Sequence, residues 1–473
     1  MGNKKALNIG SDRQLFVDEF WIDKSSRIKR ELHSPVSQGI GIPGDKPWDK
    51  GNIWAATIIN DDGKYKVWYR CDTEPETALT RSGNGTGYAE SDDGLNWEKP
   101  NLGIFELNGS KDNNLVWMGP GANLAPFKDP NPDIPEDQRY KAVVRTSDLY
   151  ALCSPDGINW KLMYDAPLMT DGPFDSPQVI FWDYWKDEYV LYARGVANID
   201  PKNKGLSKEE LKKIPEHEFR GWVRWIRRST SKDFKEGSKL ENIDAGQTPF
   251  EHLYTNAAMR YERAPGTYLM FPMRYFPQRT LDPEWEYSEG LSDVAFMSSR
   301  DGFHFDRSFM EAYIRPGLDK DNWHDRAVSV NQGMIFTSPS EISLYVNENM
   351  HLSTQAPRRY TLRTDGFVSV NAGYAGGEFT THPLIFDGKS MELNYSTSAV
   401  GTVKVEIQDE NGLPIPGYTL DDCPEMFADE IDGKVVWKNE RAVSGLSGKD
   451  VRLRFYLNDA DIYSFKFNND YAG

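Results

Sequence analysis

The phrase Ser-x-Asp-Gly-x-x-aromatic returns along this chain and constrains its fold more than any other feature. It stands as Ser91-Asp92-Asp93-Gly94-Leu95-Asn96-Trp97, as Ser154-Pro155-Asp156-Gly157-Ile158-Asn159-Trp160 and as Ser299-Arg300-Asp301-Gly302-Phe303-His304-Phe305. Looser copies are Ser231-Lys232-Asp233-Phe234, without the glycine, and Arg363-Thr364-Asp365-Gly366-Phe367. Each copy has the chemistry of a hairpin turn: Asp accepts backbone N–H groups, Gly supplies a positive φ, and the aromatic re-enters a strand. The Asp positions step by 63, 77, 68 and 64 residues, so the chain holds five similar units. A period above the ~40–45 residues of common propeller repeats predicts a propeller with long loops.

Between the turns each unit repeats one grammar of four short apolar strands. Unit one offers 53–59, 65–69, 87–90 and 96–98; unit two offers 123–127, 139–144, 149–153 and 159–163. Unit three has 178–182, 188–192, 222–228 and a short strand after Phe234, and unit four has 254–261, 267–273, 294–298 and 303–306. Unit five has 328–336, 341–346, 359–362 and 367–370. The expected fold is all-β: a lead-in over 1–44, a five-bladed β-propeller over 45–372 and a β-sandwich over 373–473. The sandwich is expected because no Asp-Gly-aromatic phrase follows Asp365, while strand patterns continue at 378–381, 391–395, 403–407, 435–437 and 451–456. Residues 14–21 alternate like a strand that completes the last blade or lies beside the ring. One helix signal, a Ser cap followed by Glu, stands in Leu206-Ser207-Lys208-Glu209-Glu210-Leu211.

Composition narrows the partners. With 473 residues, 13% aromatics and a net charge of −17, the chain suits a β-rich protein and argues against nucleic acid or an anionic membrane as partner. No run of ~20 apolar residues exists to span a membrane. Three scattered cysteines make neither a disulfide framework nor a metal-ligand spacing. Seven histidines show no His-x-x-x-His spacing, so no zinc site is expected, and Asp200, Asp319 and Asp321 lack a calcium-loop pattern. Gly83-Asn84-Gly85-Thr86-Gly87 leads into a strand and is a loop, not a phosphate cradle. No cofactor is expected. The first residues carry no apolar leader, which leaves compartment open, with export requiring a leader outside this sequence; oligomeric state is open too.

Propeller geometry limits where chemistry can sit. The start of each innermost strand and the end of the second open on one face, around a central funnel. The second strands end in Arg70, Arg145, Arg194 and Arg274, and unit five breaks the series with Asn347-Glu348. The first strands begin near acids: Asp49, Asp129, Asp175 and Glu251, with His324, Asp325 and Arg326 in unit five. Carboxylates around a concave, aromatic-rimmed pocket are what glycosidic cleavage requires, one as proton donor and one attacking or activating water. Asp175 and Glu251 are the expected pair, with Asp49 or Asp129 stabilising charge. Arg70, Arg145, Arg194, Arg274, Glu348, His324 and Arg326 are the expected polar contacts to substrate, with Asn256. Trp54 and Tyr254 offer stacking faces, as do Trp48, Tyr275 and Trp323. Each arginine equally suits an ion pair that brackets neighbouring blades.

On its blade grammar, its Ser-x-Asp-Gly-x-x-Trp turns and its funnel acids, the stretch 45–370 resembles the five-bladed propeller glycoside hydrolases that include invertases, levansucrases and arabinanases. The resemblance implies a nucleophile or base from blade one, a charge-stabilising Asp from blade two and a Glu proton donor from blade three. Asp49 and Asp129 fall near the first two places, Asp175 near the third, and Glu251 one blade later. The Asn-Asp-Pro-Asn-Gly, Arg-Asp-Pro and Glu-Cys phrases of that superfamily are absent here. The C-terminal sandwich resembles theirs by position. The arginine series also suits an inverting phosphorylase that holds phosphate, or an enzyme for an anionic sugar, uronic or sulfated. Sialidases share similar turns, but with a longer box and six blades. A non-catalytic sugar-binding propeller is the remaining alternative.

Overall fold

The computed structural model describes residues 5–71, 85–119, 121–198, 222–249, 251–285 and 288–469, and no α-helix occurs among them. The helix signal at 206–211 lies outside the described residues. The chain divides into two compact units: Pro35–Arg260 with Tyr268–Thr361, and Met1–Ser34 with Tyr261–Thr267 and Leu362–Gly473.

The larger unit is built from five antiparallel groups of strands that follow one another along the chain as blades. Trp54–Asp61, Lys64–Cys71, Gly85–Ser91 and Leu115–Trp117 form the first. Ala122–Lys128, Tyr140–Arg145, Leu149–Ser154 and Lys161–Leu162 form the second, and Val179–Asp183, Glu188–Asn198, Trp222–Ser231 and Glu241–Asn242 the third. The fourth is split into two short sheets. Pro272 explains the break: it interrupts the second strand between Tyr268–Met270 and Met273–Phe276, because it has no N–H for the ladder.

The fifth blade contains a correction. Its first three strands are Ser329–Ser338, Glu341–Glu348 and Ala356–Arg363, but its fourth is Val36–Ile40, from the N-terminal side. Residues 367–370 do not take that place. Val368–Ala372 pairs instead with Lys29–Leu32 and Val451–Asn468 in the smaller unit, so the division falls at Thr361/Leu362 and not at 372/373. Gln14–Leu15 likewise pairs with Val451–Asn468 rather than with a blade. A single parallel bridge, Gln332 to Thr57, joins the inner strands of the fifth and first blades.

The repeated turn does more than punctuate. In three copies the Asp Oδ1 accepts two backbone N–H groups at 2.8 Å while the Ser Oγ accepts the glycine N–H at 2.9 Å. The glycine carbonyl then accepts from a buried aromatic of the neighbouring blade: Gly157 from Trp68 Nε1 at 2.6 Å, Gly302 from Tyr192 OH at 2.5 Å, and Gly94 from Tyr345 OH. Each aromatic stands two residues before the end of its second strand's funnel-side series: Trp68 before Arg70, Tyr192 before Arg194, Tyr345 before Asn347. The turn is therefore a blade-to-blade clamp. Gly157 has φ +81°, and a Cβ there would meet Trp68 Cζ2 at 2.7 Å, with Trp68 fully buried and unable to yield. Gly157→Ala should lower stability by roughly 1–3 kcal/mol, read as a lower urea midpoint.

The smaller unit encloses one core containing Phe16, Trp21, Phe379, Phe455 and Phe465. The two strand signals at 391–395 and 403–407 belong to one long strand, Ser390–Asp409, whose pairing with Val451–Asn468 shifts between Thr397 and Thr402.

Candidate active site

The inner strands do not run straight into the centre of the larger unit. Their ladders slip between Trp54 and Thr57, between Ala122 and Ala125, and between Val330 and Met334. Such bulges re-aim side chains by changing which face each residue occupies. Around them Ala55, Asn123, Ala257, Arg326 and His351 hold left-handed backbone, with φ of 49°, 56°, 42°, 53° and 71°. All five line one cavity of about 490 Å³ where residues from every blade meet. Left-handed non-glycine residues persist only where their surroundings over-determine them.

Each blade brings a buried amide to this cavity: Asn52, Asn123, Gln178, Asn256 and Asn331. Several are fixed by backbone: Asn331 Oδ1 accepts Ala56 N–H at 2.8 Å and Asn256 Oδ1 accepts Ala258 N–H at 3.1 Å. Among the described residues, Asn123 Nδ2 and Gln178 Oε1 are buried without a hydrogen-bond partner. Groups of that kind are costly unless something polar arrives to meet them.

The charges are unequal. Arg70, Arg145 and Arg326 line the cavity, with Lys50, whereas Asp175 is the one carboxylate lining it among the described residues. Arg70 lies over the Trp54 ring at 4.6 Å and reaches Asn123 Oδ1 at 3.4 Å. Arg194 stands behind Asp175 and donates to its Oδ1. Burial pushes the Asp175 carboxyl up, but the charge and hydrogen bond of Arg194, with Arg145 adding, bring it net below its ordinary value. Asp175 is therefore a carboxylate near neutral pH, not a proton donor. Tyr254 also lines the cavity, under the guanidinium groups of Arg224, Arg194 and Arg326 at 4.9, 5.0 and 5.9 Å. Arg326 is itself matched by Asp325, with Nε 2.8 Å from each carboxylate oxygen.

Other candidates are elsewhere. Asp49 is fully buried, accepting from Lys99 Nζ at 2.6 Å and Tyr69 OH at 2.9 Å. Asp129 accepts from Lys141 Nζ and Tyr189 OH, both at 2.7 Å. Glu251 is held by Arg307 at 2.5 Å and Arg274 at 3.3 Å, and Arg274 grips Asp293 through two bonds of 2.6 and 2.8 Å. Glu348 accepts from Asn322 at 2.9 Å and from Tyr360, beside Arg358. None of these lines the cavity; each is a blade ion pair, so the expected Asp175–Glu251 pairing is not brought together. His324 also lies off the cavity lining, edge-on to Trp285 at 4.5 Å, and burial with neighbouring His351 pushes its pKa down to about 4. Trp48 and Trp323 donate to Asn114 and to the Gly317 carbonyl, and Tyr275 to the Glu289 carbonyl. The cavity keeps Trp54, Tyr254, Asn256, Arg70, Arg145, Arg326 and Asp175 from the sequence expectations.

No family model and no curated protein matches the chain. It is similar in structure to an arabinoxylan arabinofuranohydrolase of glycoside hydrolase family 43 from Bacillus subtilis, at 12% identity and a TM-score of 0.43, over 92% of this chain and 99% of that one. It is also similar to a family 32 β-fructofuranosidase of Bombyx mori, at 11% identity and a TM-score of 0.42, over 93% and 94%. A third likeness is to an α-L-arabinofuranosidase of Podospora anserina, at 12% identity and a TM-score of 0.42, over 70% and 96%. Likenesses this distant assign no activity to this chain.

Asn52, Asn123, Gln178, Asn331 and His351 are cavity residues that the sequence expectations passed over; of the five blade amides only Asn256 was among those expectations. The amides had a signal: an Asn or Gln stands at or near the start of every unit's first strand. His351 had none, since it sits beyond the second strand of blade five in a turn.

Proposed function

We propose that the protein is a carbohydrate-active enzyme that cleaves a glycosidic bond of an anionic sugar, uronic or sulfated, in the cavity of the larger unit. One observation carries this reading: a single cavity presents an ionised carboxylate, three guanidinium groups and a buried amide from every blade. Amides suit a ligand rich in hydroxyls, because each offers a donor and an acceptor. Guanidinium groups suit a carboxylate or sulfate, which they meet in a planar fork. An ionised Asp175 suits attack at the anomeric carbon or removal of a proton from water. Behind the cavity, burial, with the charges of Arg224 and Arg194 adding, pushes the His252 pKa down to about 3.

Uronic and sulfated oligosaccharides should yield new reducing ends, and their neutral counterparts should yield far fewer. Product that requires added phosphate would favour phosphorolysis, and binding without any product would favour a non-catalytic role. Arg145 lines the cavity and makes no ion pair among the described residues, so its charge is available to substrate. Arg145→Ala should raise KM for the anionic substrate about 10- to 100-fold, the worth of one charged hydrogen bond. The loss should shrink as salt is added, and neutral analogues should show almost none of it.

A further inference from the structure

Glycosidic cleavage needs a proton for the departing oxygen, and the cavity's carboxylate is held ionised by Arg194. Among the described residues that line the cavity, the titratable side chains besides Asp175 and the arginines are His351, Tyr254 and Lys50. His351 differs from the other two in having a carboxylate behind it. Its Nε2 stands 3.7 Å from Asp325 Oδ2, within ion-pair range once the ring is protonated. The same Asp325 is held by Arg326 through both carboxylate oxygens, and the His324 ring lies 6.5 Å from the His351 ring. Asp325, Arg326 and His324 are thus the charged and titratable groups around the ring. The backbone of His351 is locked as well: φ is 71°, and its N–H donates to Gln355 Oε1 at 2.8 Å. A bulky residue held in left-handed conformation at the wall of a cavity is placed there by its surroundings.

We propose that His351 is the proton donor to the departing sugar oxygen, held in place by the positioning residue Asp325. The proposal rests on the reading of the cavity as a site of glycosidic cleavage. Water attacks the anomeric carbon and gives its proton to the Asp175 carboxylate. The bond from that carbon to the departing oxygen breaks, and the electron pair left on the oxygen takes the proton of the His351 imidazolium. Solvent returns the proton from Asp175 to His351, so the sum is substrate plus water giving a reducing sugar (a hemiacetal) and an alcohol. Asp325 Oδ2, 3.7 Å from His351 Nε2, orients the ring for the transfer.

A leaving-group comparison tests the role. The probes are glucuronides, galacturonides and sulfated galactosides of both anomers, each as the para-nitrophenyl and the methyl glycoside. A nitrophenolate departs without protonation, whereas methoxide needs a proton. His351→Asn keeps a side chain that tolerates left-handed backbone. It should cleave the nitrophenyl compound within about tenfold of the native rate while losing ~10²–10⁴-fold on the methyl compound. Should His351→Asn lower the unfolding temperature, His351→Gly supplies the same comparison, since glycine takes a φ of 71° without strain. Equal losses on both probes, or no loss on either, overturn the proton-donor role while leaving the cleavage reading intact. Native protein that cleaves no probe overturns the cleavage reading, and this proposal with it.

Discussion

Asp175→Asn is expected to abolish turnover on an anionic glycoside, lowering kcat by ~10²–10⁴-fold, while the unfolding temperature stays near native and KM does not rise. The direction of the KM effect follows from charge. Asp175 is the carboxylate that faces an anionic substrate across a wall carrying Arg70, Arg145 and Arg326, and its removal relieves a like-charge repulsion. A non-catalytic receptor would show only that gain in affinity, so steady-state kinetics and a binding titration on one variant separate the two roles. The pH dependence has a definite sign. Because Arg194 holds the Asp175 carboxyl below its ordinary value against the upward push of burial, the group stays ionised down to that lowered pKa. Activity should be lost as pH falls through it, with an acid limb below the usual carboxylate range of ~4. Arg194→Ala removes the largest cause that lowers it, and the limb should move upward. An unmoved limb would assign it to another group.

Asp175 and the arginines of blades one and two were legible because their positions follow from blade geometry alone: the end of a second strand and the start of a first strand share one face. The parity of the side chains was not legible. A strand alternates with period two, so one bulged residue moves every following side chain to the other face. The slips after Trp54, Ala122 and Val330 are set by tertiary packing, with no local turn signal. Asp49, Asp129 and Glu251 stand near the right strand ends but serve Lys–Tyr or Arg pairs instead. Their partners lie 12 to 60 residues away in sequence, so such an acid reads the same whether it faces a neighbour or a ligand. The closing strand Val36–Ile40 was hidden for another reason. Its side chains are exposed throughout, so it lacks the apolar alternation by which strands are recognised. Four copies of the turn lead from a blade's third strand toward its fourth, whereas the fifth leads from Ala356–Arg363 into Val368–Ala372 of the smaller unit.

That fifth copy carries the second large effect. Asp365 is no solvent-facing turn residue: it is fully buried in the smaller unit. It accepts from Tyr261 OH at 2.7 Å, Ser464 Oγ at 2.8 Å, Arg263 Nε at 3.1 Å and Asn394 Nδ2 at 3.2 Å, and Arg13 Nη1 stands 3.4 Å away. Arg13 is itself 3% exposed at its side chain. Burial alone would push the Asp365 carboxyl up, but Arg13 and Arg263, with the Tyr261 and Ser464 hydroxyls, bring it net below its ordinary value. Asp365→Asn keeps the shape and removes the charge, which leaves Arg13 and Arg263 to share the half-exposed Asp432 as counter-charge. Breaking such a pair from one side costs about 3–5 kcal/mol, where deleting both partners in favour of apolar groups would cost far less. A folded pKa below the unfolded one means that this stability is present above the unfolded value of ~3.9 and drains away as pH falls through the folded value. The native smaller unit should therefore loosen in acid, and Asp365→Asn should already be loosened at neutral pH and change less on acidification. Amide hydrogen exchange along Ser390–Asp409 and Val451–Asn468 reads both effects directly, without requiring the whole chain to unfold in one step. Protection in those strands that Asp365→Asn leaves at its native level would mean that the hydrogen bonds, and not the charge, hold this unit together.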